Sequence, residues 1–156
     1  PGAALRDALG APETIARQEV SDRWALPWQG RAYELELDIE WSTATNVGVS
    51  VGCASDDSRH TNIGVFNGRV YVDRGPADRS DYSFLPYRQA EAPIDPGARQ
   101  VHLRVLVDTQ SVEVFVNAGH TVLSQQVYFE ADDTAVRLYA YDGSAAFSNV
   151  TWRPAR

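Results

Sequence analysis

Asp73, Arg74 and Glu113 are the residues of this 156-residue chain best suited to hold a polar ligand. Asp73-Arg74 closes the strand-like run Val70-Tyr71-Val72, and Glu113 interrupts the apolar run Ser111-Val112-Glu113-Val114-Phe115. A carboxylate or a guanidinium can grip two neighbouring hydroxyls in bidentate fashion, and a flat aromatic ring complements the less polar face of a sugar ring. If the two strands lie together, they supply acceptor, donor and acceptor to one small pocket. Asp108, at the end of Val105-Leu106-Val107, and Tyr141, beside Asp142, complete the candidate set, with Tyr82 and Tyr87 as further stacking candidates. Each charged candidate also has a structural use. Asp73 and Arg74 suit ion pairs at a sheet edge, and Glu113 suits Arg104 across a hairpin. Asp108 reads first as a cap on the Thr109-Gln110 turn.

Catalysis is a weaker reading. Glycoside hydrolysis needs two carboxylates placed across the scissile bond. With 21 acidic residues some pair at that spacing is almost inevitable, so a pair by itself carries no information. His60, His102 and His120 do not sit at metal-ligand spacing, and each reads better as a satisfied or solvent-facing histidine. There is no phosphate-binding glycine loop. The single cysteine, Cys53, cannot form an internal disulfide and reads as a small buried hydrophobe. The formal charge is -7, and all 14 basic residues are arginine, which argues against nucleic acid or an anionic membrane as partner. No apolar stretch is long enough to span a bilayer. A monomer without a cofactor is expected, and a structural calcium ion is the one alternative considered.

The elements that must position these residues are almost all strands. Tyr33, Leu35, Leu37, Ile39 and Trp41 alternate with Glu34, Glu36, Asp38 and Glu40. That period of two places one set toward a core and a row of carboxylates on the opposite, solvated face. A calcium ion on that row is disfavoured, because alternation spaces carboxylates along a strand rather than around an ion. Val47, Val49 and Val51 alternate with Gly48, Ser50 and Gly52 in a strand with little bulk on its second face. Asn67-Gly68 between Asn62–Phe66 and Arg69–Asp73 is a strong hairpin signal. Val101–Val107, Ser111–Val116 and Thr121–Tyr128 form an antiparallel meander, and Ala135–Tyr141 and Ala145–Trp152 read as a last pair around Asp142-Gly143-Ser144.

Residues 1–15 suggest one helical turn, broken at Gly10 and Pro12. The proline-rich stretch from Arg74 to Arg99 reads as one long loop. Trp24 and Trp28 flank Pro27 in a loop-like stretch, whereas Trp41 and Trp152 belong to the core. The expected fold is a single all-β domain over residues 1–156, an antiparallel sandwich with jelly-roll-like, lectin-like connectivity. The absence of an initial methionine and of a signal-peptide pattern suggests a mature or excised domain.

Three segments carry a family resemblance: Val70-Tyr71-Val72-Asp73-Arg74, Val105-Leu106-Val107-Asp108 and Ser111-Val112-Glu113-Val114-Phe115, with Val150-Thr151-Trp152 as a closing strand. Together they resemble the C-terminal β-sandwich of fructan hydrolases (levanases, inulinases and invertases), which also exists as a stand-alone fructan-binding module. The resemblance is strongest from Asn62 to Trp152 and loose over residues 1–60. It departs at Gly75-Pro76, where the family usually continues with serine. Such enzymes carry catalysis on a separate N-terminal propeller marked by Asn-Asp-Pro-Asn, Arg-Asp-Pro and Glu-Cys motifs, none of which occurs in this chain. The resemblance therefore implies a secreted, non-catalytic module. It would grip a terminal fructosyl unit of levan or inulin through Asp73, Arg74, Glu113, Asp108 and Tyr141, and target an attached glycoside hydrolase. The alternatives are a structural sandwich that packs on the propeller without binding sugar, and a small glycosidase on a lectin-like fold.

Overall fold

The computed structural model describes residues 9–74 and 89–155. The described residues build ten strands: β1 (Glu13–Gln29), β2 (Tyr33–Trp41), β3 (Asn46–Cys53), β4 (Thr61–Phe66), β5 (Arg69–Asp73), β6 (Gln89–Pro93), β7 (Gln100–Val107), β8 (Ser111–Val116), β9 (Thr121–Gln126) and β10 (Ala135–Pro154). All pairings are antiparallel, in the order β6-β5-β4-β3-β10-β2-β7-β8-β9, with β1 also paired to β10. The expected all-β antiparallel sandwich is the fold found.

Its construction turns on two bent strands. The first half of β10 pairs with β3 and the second half with β2, while β1 follows β10 through both halves. The bend folds β3–β6 over β2 and β7–β9, and the far edges β6 and β9 approach each other. Inward residues alternate without a break: Val47, Val49, Val51, Ile63, Val70 and Val72 from one layer meet Leu35, Leu37, Leu103, Val105, Val112 and Val114 from the other. Burying each such side chain contributes roughly 1.5–3 kcal/mol.

Several local readings need correction. Ala135–Tyr141 and Ala145–Trp152 do not form a hairpin but lie on one continuous strand. Asp142 (φ 62°) and Gly143 (φ 154°) bend that strand instead of reversing it. Trp24 and Trp28 lie in β1, not in a loop. The Trp28 ring stacks on Trp152 at 5.8 Å. The stretch from Arg74 to Arg99 contains β6, which proline tolerates because β6 is an edge strand. The helical turn expected near the N-terminus falls largely on residues 1–8, and Tyr82 and Tyr87 on 75–88, outside the described residues.

On the outer face of the first layer, Gly48 and Gly64 stand opposite each other in register, between Tyr139 and Tyr71. The two phenols lie over this glycine floor and hydrogen-bond each other at 2.5 Å. Tyr71 also donates to Asn46 Oδ1 at 2.6 Å. A Cβ on Gly48 would sit 2.1 Å from the Ile63 carbonyl and 2.6 Å from the Tyr139 hydroxyl. Gly48→Ala is therefore expected to cost about 1–3 kcal/mol by overpacking. Urea denaturation checks this, and an unchanged midpoint would show that the tyrosines do not need the bare floor.

Candidate functional site

The register of the strands decides which candidate residues can act together. On β5, Val70 and Val72 face the core, and Arg74 follows them inward to 2% exposure. Its guanidinium carbon lies 5.7 Å from the centre of the Tyr128 ring, a cation–π distance. Asp73 leaves the strand on the other side, between Asn62 and Gln89 in register. It is half-buried on the outer face of the first layer. Asp73 and Arg74 therefore do not form one grip.

Glu113 lies in the second layer, between Leu106 and Ser124. It projects outward, exposed, while Val112 and Val114 are fully buried. Sequence reasoning could not place Glu113 relative to Asp73, because the two residues lie in different layers, β5 paired with β4 and β6 and β8 with β7 and β9. Arg104 does not reach back to Glu113 either; it covers the Phe115 ring at 4.2 Å and faces Glu34 at 3.6 Å. Asp108 accepts the Thr109 N–H at 2.6 Å, and its own N–H donates to the Ser111 carbonyl at 2.9 Å, which is the turn cap expected of it. Tyr141 stacks on Tyr139 with ring centres 5.3 Å apart, in register with Asn46. Burial raises its phenol pKa.

The outer face of the first layer carries a charged network that the sequence did not announce. Asp57, held at φ 62° in the β3–β4 loop, receives Arg23 and receives Arg137 at 3.1 Å, with His60 at 3.4 Å. Burial, with Arg23 and Arg137 close by, lowers the His60 pKa below the ordinary histidine value. Beside it, Arg59 grips the buried Asp133 through Nε at 3.1 Å and through a terminal nitrogen at 2.7 Å. Asp133 comes from the β9–β10 loop, so only the fold joins these residues. Burial pushes the Tyr71 phenol up to about 12 and the Cys53 thiol up to about 11, so neither is a nucleophile at neutral pH.

The acidic row on β2 is also corrected. It is not simply a solvated face: Glu34 is 3% exposed and accepts from Arg153 at 2.8 Å. His102 bridges Glu36 through Nε2 at 2.8 Å and Asp38 through Nδ1 at 2.6 Å. Among the described residues no group of three or more His, Cys, Asp or Glu is arranged to hold a metal ion.

A third feature, missed from sequence, is a cleft of about 730 Å³ at the end of the sandwich where β2 passes into β3, β4 turns into β5 and β6 leads to β7. Phe66 stands on its wall, 49% exposed. The signal was available, since Ile63 and Val65 face inward and parity sends Phe66 outward beside the Asn67-Gly68 turn.

The described residues form a bent-strand antiparallel β-sandwich whose outer faces carry paired charges. The family profile described as "Glycosyl hydrolases family 32 C terminal" matches residues 5–154, and the chain belongs to that family. The match includes most of residues 1–60, where the resemblance had been loosest. The chain is 36% identical over 153 residues to the levanbiose-producing levanase of Bacillus subtilis, covering 97% of this chain and 30% of that protein. It is 31% identical over 117 residues to a levanase of Bacillus sp. (strain L7), covering 72% of this chain and 12% of that protein. Fructan 1-exohydrolase IIa from Cichorium intybus shares the fold over 100% of this chain and 37% of its own, with a TM-score of 0.83 at 12% identity. The chain thus spans less than a third of the length of these curated levanases.

The His102 bridge gives a pH test. Burial would lower the imidazole pKa, but the hydrogen bonds it donates to Asp38 and Glu36 outweigh burial and hold it above the ordinary value. Burial would raise the Asp38 carboxyl, but hydrogen bonds from Asn149 and His102 hold it lower. The histidine contribution is therefore complete below the ordinary histidine pKa and is lost as pH rises through the raised value. The Asp38 contribution is complete above the ordinary carboxylate pKa and is lost as pH falls through the lowered one. Because the groups are about one-third exposed, the combined effect is under about 1 kcal/mol. Denaturation at pH 5.5 and 8.5 should show a loss at the higher pH that His102→Gln abolishes; the same loss in the variant would assign it to another group.

Proposed function

We propose that this domain is the non-catalytic fructan-binding module of a secreted fructan hydrolase, holding an attached catalytic domain near its polymer. The observation that carries the reading is the 36% identity to a levanbiose-producing levanase across 97% of the chain. Weak binding suffices for such a role, because tethering raises the effective concentration of the catalytic partner. The polar character of the outer faces supports it. Among the described residues, the large hydrophobic side chains that are exposed are Phe66 and Val122, and they lie in different layers. A domain whose whole task is packing would present a broader apolar patch.

Sugar contacts are proposed in two groups. Asp73 and Tyr141 both lie on the outer face of the first layer, Asp73 in the row of Asn62 and Ser50 and Tyr141 in the row of Asn46 and Phe66, and they are proposed as separate contacts, one to sugar hydroxyls and one to a ring face. Glu113 and Asp108 belong to β8 and to the β7–β8 turn of the second layer, and Arg74 acts from inside by holding the Tyr128 ring. A terminal fructosyl unit is the ligand proposed for these groups.

Calorimetric titration with levan, inulin and fructose tests the reading, and heat is expected with at least one fructan. No heat with any of them would sink it and leave packing on a propeller as the role. Asp73→Asn and Tyr141→Ala examine one layer and Glu113→Ala the other, so a loss confined to one set locates the contacts. Arg74→Ala is expected to unfold more easily than the other three, because its guanidinium is buried against an aromatic ring.

A further inference from the structure

The cleft beside Phe66 lies at the opposite end of β5 from Asp73, since Arg69 opens that strand at the cleft and Asp73 closes it. Three backbone hydrogen bonds fix its walls. The Trp41 N–H donates to the Arg99 carbonyl at 2.9 Å, Ile94 N–H to the Gly68 carbonyl at 3.0 Å, and Thr45 N–H to the Tyr141 carbonyl at 3.0 Å. The floor is apolar, built from Ala44 and Val65. Above it stand the exposed Phe66 ring and the half-buried Trp41 indole. Around these rings lie the hydroxyls of Ser42 and Thr43 and the guanidiniums of Arg69 and Arg99.

We propose that this cleft is a second binding site, for an interior stretch of a neutral polysaccharide chain. Its volume falls in the range of roughly 300–1,000 Å³ typical of small-ligand sites, which is more than one sugar ring needs. Two aromatic residues lining the cleft, Phe66 from β4 and Trp41 from β2, suit the apolar faces of sugar rings, and hydroxyl and guanidinium groups suit their edges. Arg69 already faces Glu91 at 3.6 Å, which tempers any preference for an anionic ligand. The fixed walls reduce the ordering cost of binding. A protein segment would find, among the described residues, one half-exposed aromatic ring here, within a polar rim. The class of sugar rests on the fructan reading above; the position of the site does not. Two sites at opposite ends of one rigid domain would also bind a long chain more tightly than either alone.

The test compares long-chain levan, inulin, dextran and xylan with free fructose, using the wild-type chain, Phe66→Ala and Arg69→Ala. Thermal melting confirms that each variant is folded, and Thr43→Ala serves as a milder probe of the same wall if Phe66→Ala does not fold. Affinity for the long-chain polysaccharide is expected to fall at least tenfold in Phe66→Ala and severalfold in the other cleft variants, with any fructose binding unchanged. Wild-type affinity in all the folded variants would overturn the proposal and leave the cleft to a protein segment. If the wild type binds dextran or xylan but no fructan, and Phe66→Ala abolishes that binding, the cleft stands and the fructan reading falls. If no polysaccharide binds, both fall.

Discussion

The bend in β10 is the constraint on which the rest of the molecule depends. One strand of 20 residues serves both layers, so its direction must change without losing the ladder on either side. Asp142 and Gly143 make that change with positive φ angles, and Asp22 does the same on β1 opposite the bend. Aspartate tolerates the left-handed region through local hydrogen bonding, and Asp142 accepts the Thr45 hydroxyl at 2.7 Å. At Gly143 a Cβ would lie 2.6 Å from the Thr43 hydroxyl and 2.7 Å from the Ala44 nitrogen. The β2–β3 connection can therefore cross the bend only against a bare backbone. The same crossing sets the wall of the cleft.

Once the layers are closed, the outer faces have to manage charges that the folding brings close. A buried charge is costly unless paired and hydrogen-bonded. Glu34 and Asp133 meet that requirement with Arg153 and Arg59, and Asp57 gathers Arg23 and Arg137. The outer faces are thus organised polar surfaces and not passive coats of charge. A chain whose basic residues are all arginine is well suited to this, because the planar guanidinium holds two carboxylate oxygens at once, as Arg59 does with Asp133.

The chain belongs to the glycosyl hydrolase family 32 C-terminal group. The relatives it matches are far longer, and this chain corresponds to about 30% of the Bacillus subtilis levanbiose-producing levanase. The proposed role of holding a polymer rests on a packed core, polar outer faces and the cleft beside Phe66. Cys53 and the buried Tyr71 and Tyr139 are kept protonated by burial.

The sequence by itself determined the all-β class, most strand positions and the inward set, because a period of two fixes which face each side chain takes as soon as one face is apolar. It also determined the turn role of Asp108 and the Asn67-Gly68 hairpin, which are local matters of backbone preference. Whether Asp142-Gly143-Ser144 reverses or bends the chain was not legible, since the same residues suit both and only the partners β2 and β3 decide. Nor was the placing of Asp73, Arg74 and Glu113, which follows from the layer each strand joins and from one residue of parity. The Asp57 and Asp133 networks and the Phe66 cleft join loops distant in sequence. Such contacts exist only after the layers close, which is why tertiary structure alone could decide which surfaces are available for a ligand.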